Sequence, residues 1–173
     1  MRIGIDIDNT IVKTEVLASK LYKKLYKKDF FKLGKIDQYI FCGNHPEILI
    51  ETEFFPNFIK VIKKLSEKHE IYFITARSDK NVIDIEKNTK KLLDDKNIKY
   101  EDIYFGCYKK LAFYNKLNLD LMIDDDYEIY NEIKNNGNII LFEGNLNKNI
   151  DDIKFNNWLD ILEYIERIEI NGW

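Results

Sequence analysis

The stretch that decides the fold is Met1-Arg-Ile-Gly-Ile-Asp-Ile-Asp-Asn-Thr10. Ile3, Ile5 and Ile7 are apolar and β-branched, as in a short buried strand, and Gly4 leaves room for a close neighbour. Asp6 and Asp8 follow two apart, so on an extended backbone their side chains point the same way. Like charges brought together in this way resist desolvation unless a cation or a proton compensates them. Two solvated loop acids would satisfy the same spacing, so the choice rests on the rest of the chain.

Working outward, the bulk properties narrow the possibilities. The 173 residues suit one domain with a small insertion. A hydrophobic fraction of 45% and a charged fraction of 33% allow a real core under a well-solvated surface. The net charge of −3, from 27 basic and 30 acidic side chains, makes no electrostatic case for a nucleic-acid partner. Cys42 and Cys107 are too few for a disulfide framework and read as free thiols in a reducing compartment. No apolar run reaches bilayer-spanning length and the opening residues do not read as a signal peptide. The expectation is a cytoplasmic protein with no membrane partner.

Downstream, a helix with one lysine-rich face is expected from about Thr14 to Phe31, with Leu17, Leu21 and Leu25 as its apolar stripe. The lysines read as a solvated face or as a rim attracting an anionic substrate. Residues 34–55 are poorly legible, with Cys42 to Pro46 reading as a turn and Glu47 to Thr52 as a short helix or strand. His45 reads as a loop residue, and His69 as a favourable charge at a helix end. Beyond Pro56 the pattern alternates: a helix, then the apolar strand Ile71 to Thr75, then a helix from about Asn81 to Asp95. A weaker strand at Ile103 to Phe105 and a helix from Lys109 to Leu117 lead to the strand Leu119 to Ile123, which ends in Asp124-Asp125-Asp126. A helix stopped by Gly137, a last strand Asn138 to Phe142 and a closing helix Phe155 to Ile168 complete the chain.

Alternating elements with continuously apolar strands imply an α/β fold: a mostly parallel, Rossmann-like sheet with helices on both faces. Sites in such folds lie beyond the carboxyl ends of the strands, which brings together Asp6, Asp8, Thr75, a lysine near 110 and Asp124 to Asp126. The segment 13–55 is too long for a simple crossover and reads as a small helical cap, leaving 1–12 and 56–173 as the catalytic core. Carboxylates converging without histidine or cysteine favour Mg²⁺. In that setting Asp6 can serve as nucleophile and Asp8 as general acid and base, while Thr75, the next backbone N–H and a lysine hold a phosphoryl group.

Asp6-Ile-Asp8-Asn-Thr10 resembles the DxDx[TV] opening motif of the haloacid dehalogenase-like (HAD) superfamily. Phe73-Ile-Thr75-Ala-Arg77 is similar to its second motif, Lys110 (with Lys109 as the weaker candidate) to its third, and Ile123-Asp124-Asp125 to its fourth. The ITAR and IDD forms and the helical insertion resemble the 5′(3′)-deoxyribonucleotidase group. The resemblance implies Asp6 as nucleophile and Mg²⁺ ligand, and Asp8 as acid/base that also binds the metal through its backbone carbonyl. It implies Asn9, Thr75, Ala76 and Lys110 around the phosphoryl group, and Asp124 and Asp125 on the metal, one directly and one through water. Asp126 reads as a helix N-cap. The implied activity is phosphomonoester hydrolysis through an aspartyl-phosphate, on a nucleoside monophosphate. The alternatives are a sugar phosphate, a nucleic-acid end, or metal and phosphate binding without turnover. Aromatic residues of the cap such as Tyr22, Tyr26, Phe30, Phe31, Tyr39 and Phe41 could stack on a base, though helical spacing favours a core role.

Overall fold

The computed structural model describes residues 1–172; the expected core boundary at Trp173 falls outside the described residues. Five strands follow one another as β1 (Arg2–Ile5), β2 (Glu70–Ile74), β3 (Asp102–Tyr104), β4 (Leu121–Asp124) and β5 (Ile139–Phe142). A two-residue strand, β6 (Lys154–Phe155), extends the sheet beyond the expected last strand. The spatial order is β3-β2-β1-β4-β5-β6, and every neighbouring pair runs parallel.

The pleat explains why the strands are apolar throughout. Ile3, Ile5, Ile71, Phe73, Leu121 and Ile123 face one side. There they meet α4 (Phe58–Leu65), α5 (Ile85–Asp94) and α8 (Trp158–Asn171) through Phe58, Leu93, Trp158 and Ile165. Tyr72, Ile74 and Met122 face the other side, against α6 (Lys110–Lys116) and α7 (Tyr127–Lys134) through Tyr114 and Ile133. Gly4 belongs to this second face. A Cβ there would come within 2.6 Å of Leu119 Cδ1 and 2.8 Å of Met122 Sδ, so the close neighbour that the sequence suggested is real. Gly137 follows α7 as expected, but it lacks the left-handed conformation that commonly places glycine at helix ends. Its α-carbon lies against the Tyr114 ring, and a Cβ would meet the phenol carbon at 2.5 Å.

Between β1 and α4 run α1 (Thr14–Tyr26), a 3-10 turn (Phe30–Lys32), α2 (Lys35–Asn44) and α3 (Glu47–Ile50). They share a separate cluster built on Ala18, Phe30, Phe41 and Ile48. The two ends of the segment run side by side: Lys13 N–H donates to Glu53 O at 2.8 Å and Phe55 N–H to Ile11 O at 2.8 Å.

Several local expectations change here. Leu25 is 49% exposed, because α1 ends one residue later at Tyr26 and Ala18 takes the buried position. Cys42, Gly43 and Asn44 are helical within α2 rather than a turn. His69 is buried beside the N-terminal ammonium, 3.3 Å away, and burial with that charge pushes its pKa down. It stands four residues beyond the last residue of α4 rather than at the helix end that its position after Lys68 suggested, with the Glu169 carboxylate 3.5 Å away. Asp126 does cap α7, accepting from Glu128 N–H at 2.9 Å.

Candidate active site

Register brings the carboxylates together. Ile5 pairs with Ile123, and the ladder continues one step further, with Asp6 N–H donating to Ile123 O at 2.9 Å. Asp6 and Asp124 thus leave neighbouring strand ends side by side. Asp6, Asp124 and Asp125 each offer an oxygen, all within 4.8 Å of one another. Trp158, buried in α8, donates its indole N–H to Thr10 O at 3.1 Å and fixes the turn that follows Asp8.

Lys110, at the first turn of α6, is 5% exposed. Its ammonium donates to Asp6 Oδ1 and to Asp124 Oδ2, the latter at 2.7 Å. Burial alone would push Lys110 down, but Asp124 and Asp6 more than offset it and hold it charged. One ammonium cannot neutralise three carboxylates. Burial pushes Asp6 up to about 7, and Asp124 and Asp8 add to that against the pull of Lys110. Burial, with Asp6, Asp124 and Glu15, drives Asp125 well above the ordinary carboxylate range. Both Asp124 oxygens are engaged, Oδ1 with Asp126 N–H at 2.9 Å and Oδ2 with Lys110. On Asp125, Thr10 hydroxyl reaches Oδ1 at 3.2 Å.

Asp8 has a different environment. Arg77 grips both of its oxygens, at 2.8 and 2.9 Å, and Thr14 hydroxyl donates to Oδ1 at 2.5 Å. Arg77 is in turn fixed by Thr89 on α5 at 3.0 Å. Burial raises Asp8, but Arg77 and Thr14 outweigh it and hold the carboxyl below its ordinary value. Nothing local in the sequence signalled this pair. Arg77 was visible as part of a motif without a role, and it meets Asp8 across 69 positions of chain.

The remaining expected residues are distributed as follows. Asn9 adopts φ 60°, accepts from Glu15 N–H at 2.8 Å through Oδ1, and donates its own N–H to Val12 O at 2.8 Å. Asn9 is thus engaged in shaping the turn and the start of α1. Thr75 is fully buried and its hydroxyl accepts from Arg77 N–H at 3.2 Å; it is Ala76 that lines the cavity. That cavity, about 830 Å³, opens over Asp6, Asp8, Lys110, Asp124 and Asp125, within the usual range for ligand pockets. Glu15, Asn81 and Tyr108 also line it and were not singled out from the sequence; Tyr39, named there among the cap aromatics, lines it as well. Of the cap aromatics, Tyr22 and Phe41 meet edge-on at a centroid distance of 5.1 Å, inside the cluster of the helical segment. No helix among the described residues is long and apolar enough to cross a membrane.

The same architecture occurs in solved structures. A haloacid dehalogenase-like hydrolase from Streptococcus pneumoniae superposes with a TM-score of 0.62 at 17% identity, covering 95% of this chain and 97% of that one. A haloacid dehalogenase-like hydrolase from Xanthomonas campestris gives 0.62 at 10% identity, covering 99% and 97%. At these identities the likeness shows the fold. No family model matches the chain. A nucleotidase of Clostridium acetobutylicum is 32% identical over 115 residues, 62% of this chain, and the match spans 57% of that protein's length. A Bacillus cereus protein provisionally named a nucleotidase is 31% identical over 148 residues, 72% of this chain and 76% of that protein. With 76% of the Bacillus relative covered at 31% identity, the chain belongs to that protein's family, and its fold is the one seen in the haloacid dehalogenase-like hydrolases above.

Proposed function

We propose that the chain is a Mg²⁺-dependent phosphomonoester hydrolase that acts on nucleoside monophosphates through an aspartyl-phosphate on Asp6. The observation that carries this reading is the trio Asp6, Asp124 and Asp125, buried or half-buried, mutually within 4.8 Å and opposed by Lys110 as their ammonium partner. Three hard oxygen donors with charge left over fit Mg²⁺, which favours carboxylates, water and substrate phosphate. Asp6 and Asp125 would hold the ion, with Asp8 contributing its backbone carbonyl. Asp124, both of whose oxygens already have protein donors, would act through water. Bound there, Mg²⁺ would supply charge neutralisation for the phosphoryl oxygens.

The residues of the chain do the rest. An Asp6 oxygen attacks phosphorus, and the bond from phosphorus to the leaving oxygen breaks. Asp8 gives that oxygen a proton, then takes one from the water whose oxygen attacks the Asp6 phosphoanhydride. Phosphate leaves, Asp6 returns to carboxylate, and Asp8 holds the proton for the next cycle. Arg77 favours the carboxylate form of Asp8, the form that accepts the water proton. Lys110 and the backbone N–H of Ala76 are suited to the phosphoryl oxygens, with Thr75 shaping the turn that presents them. The helical segment 13–55 would act as the cap over the cavity.

The nucleotide reading is supported by the names of the two relatives, and the cavity volume leaves room for a nucleoside beyond the phosphate. The test is phosphate release from nucleotides and sugar phosphates with and without Mg²⁺, run beside Asp6→Asn. Metal-dependent release that favours nucleoside monophosphates and is lost in the variant is expected. Release from none of the compounds, or undiminished release by Asp6→Asn, would contradict the proposal.

A further inference from the structure

On the wall of the cavity, three polar side chains from three elements meet. Tyr39 comes from α2, Asn81 from the turn after β2, and Tyr108 from the loop before α6. Asn81 Nδ2 donates to Tyr39 Oη at 2.8 Å and to Tyr108 Oη at 2.6 Å, and the two phenol oxygens lie 2.9 Å apart. The two core loops are tied to each other: Gly106 N–H donates to Arg77 O at 2.8 Å and Cys107 N–H to Thr75 O at 2.9 Å. Gly106 adopts φ 67°, a conformation glycine takes without strain.

Hydrogen-bond accounting gives the cluster a definite character. Asn81 spends both amide protons on the phenols, and one phenol proton is used between them. One phenolic O–H and Asn81 Oδ1 are left, and among the described residues no donor reaches Asn81 Oδ1. The cluster therefore presents a donor and an acceptor side by side. The lining of the cavity also includes the apolar side chains Leu49, Val82 and Ile85. Apolar walls with one donor–acceptor edge suit a flat heterocycle, which has two apolar faces and a polar rim. A sugar, with hydroxyls in every direction, would leave polar groups unpaired against those walls. Tyr39 is 47% exposed and Tyr108 54%, and both line the cavity.

We propose that Tyr39, Asn81 and Tyr108 are the specificity residues for the base of a nucleoside monophosphate, bonding its edge while the apolar wall covers its faces. The proposal rests on the phosphatase reading and deepens it. It also makes recognition shared between the helical segment, through Tyr39, and the core, through Asn81 and Tyr108.

The test compares kcat/KM on a nucleoside 5′-monophosphate with that on ribose 5-phosphate, which lacks only the base. Asn81→Ala is expected to lower the ratio of the two about tenfold, the worth of one or two neutral hydrogen bonds, and Tyr108→Phe severalfold. A loss shared equally by both substrates would overturn the proposal and leave the cluster as a tie between α2 and the core; so would an unchanged ratio. Calorimetry in the Asp6→Asn background reads the same contrast without turnover. There, the nucleotide is expected to bind tighter than ribose 5-phosphate, and Asn81→Ala to erase most of the difference. Equal affinities for the two ligands would overturn the subsite. Absence of hydrolysis from every compound, with that affinity contrast intact, would instead overturn the phosphatase reading alone.

Discussion

Asp6 and Asp8 are two residues apart, yet their surroundings treat them oppositely. Asp6 is buried among carboxylates and pushed up, whereas Asp8 is gripped by a guanidinium and held down. The spacing in Asp6-Ile-Asp8 made the two acids visible in the sequence. The partner that separates their behaviour was not visible, because the Arg77–Asp8 pair depends on β1 and β2 lying side by side. Lys110 was legible only as one of two adjacent lysines; its place in the first turn of α6, between Asp6 and Asp124, selects it over Lys109. The Arg77 side chain is 2% exposed, so breaking the pair leaves a buried charge without its partner. Arg77→Ala is expected to lower stability by about 3 kcal/mol, the usual cost of removing one member of a buried pair. Denaturant midpoints for Arg77→Ala, Asp8→Ala and the double variant measure it. Additive losses in the double variant would show that the two side chains are not coupled.

At the scale of elements, long periodic segments were readable and short ones were not. The strands β1, β2 and β4 carry continuous apolar runs, and each was legible. The two residues of β6 offer no period at all, and pairing with β5 alone makes them a strand. In α2, Gly43 and Asn44 carry turn chemistry, but Phe41 and Gln38 bury a face and the helix runs through both. Gly137 shows how the right residue can be explained by the wrong physics. Its α-carbon faces a rigid ring, so Gly137→Ala is expected to cost about 2 kcal/mol by overpacking. Chemical denaturation checks this, and a neutral effect would mean that the Tyr114 ring moves freely. His69 makes a second prediction at this scale. Burial and the N-terminal ammonium lower its pKa from 6.5, so the unfolded chain binds the proton more readily than the folded one. Its contribution is therefore fully present above about pH 6.5 and is lost as pH falls through the depressed value. Thermal unfolding of His69→Gln is expected to fall less steeply with pH below 6.5 than that of the unsubstituted chain. Parallel profiles would rule out this titration.

For the molecule as a whole, the parallel sheet turns distance in sequence into proximity. The order β2-β1-β4 sets the three central strand ends together, and the carboxylates and Arg77 follow from that order. This architecture was legible because strands apolar on both faces alternate with amphipathic helices, a pattern with few solutions. The wall of the cavity was not legible, since it is built from α2, two loops and single residues with no shared period. The uncompensated carboxylates carry a whole-molecule consequence: a divalent ion that binds only the folded chain stabilises it by mass action. Mg²⁺ at a hundredfold excess over its dissociation constant is expected to add about 2.7 kcal/mol. A Tm rise with Mg²⁺ that Asp125→Asn largely abolishes would agree; the same rise in the variant would locate the ion elsewhere.

The most direct measurement is peptide mass mapping of protein quenched in acid during turnover of a nucleoside monophosphate. A phosphoryl group on Asp6, absent from Asp6→Asn, is the expected result. Phosphate release with Asp6 never modified, or with the group on another residue, would contradict it.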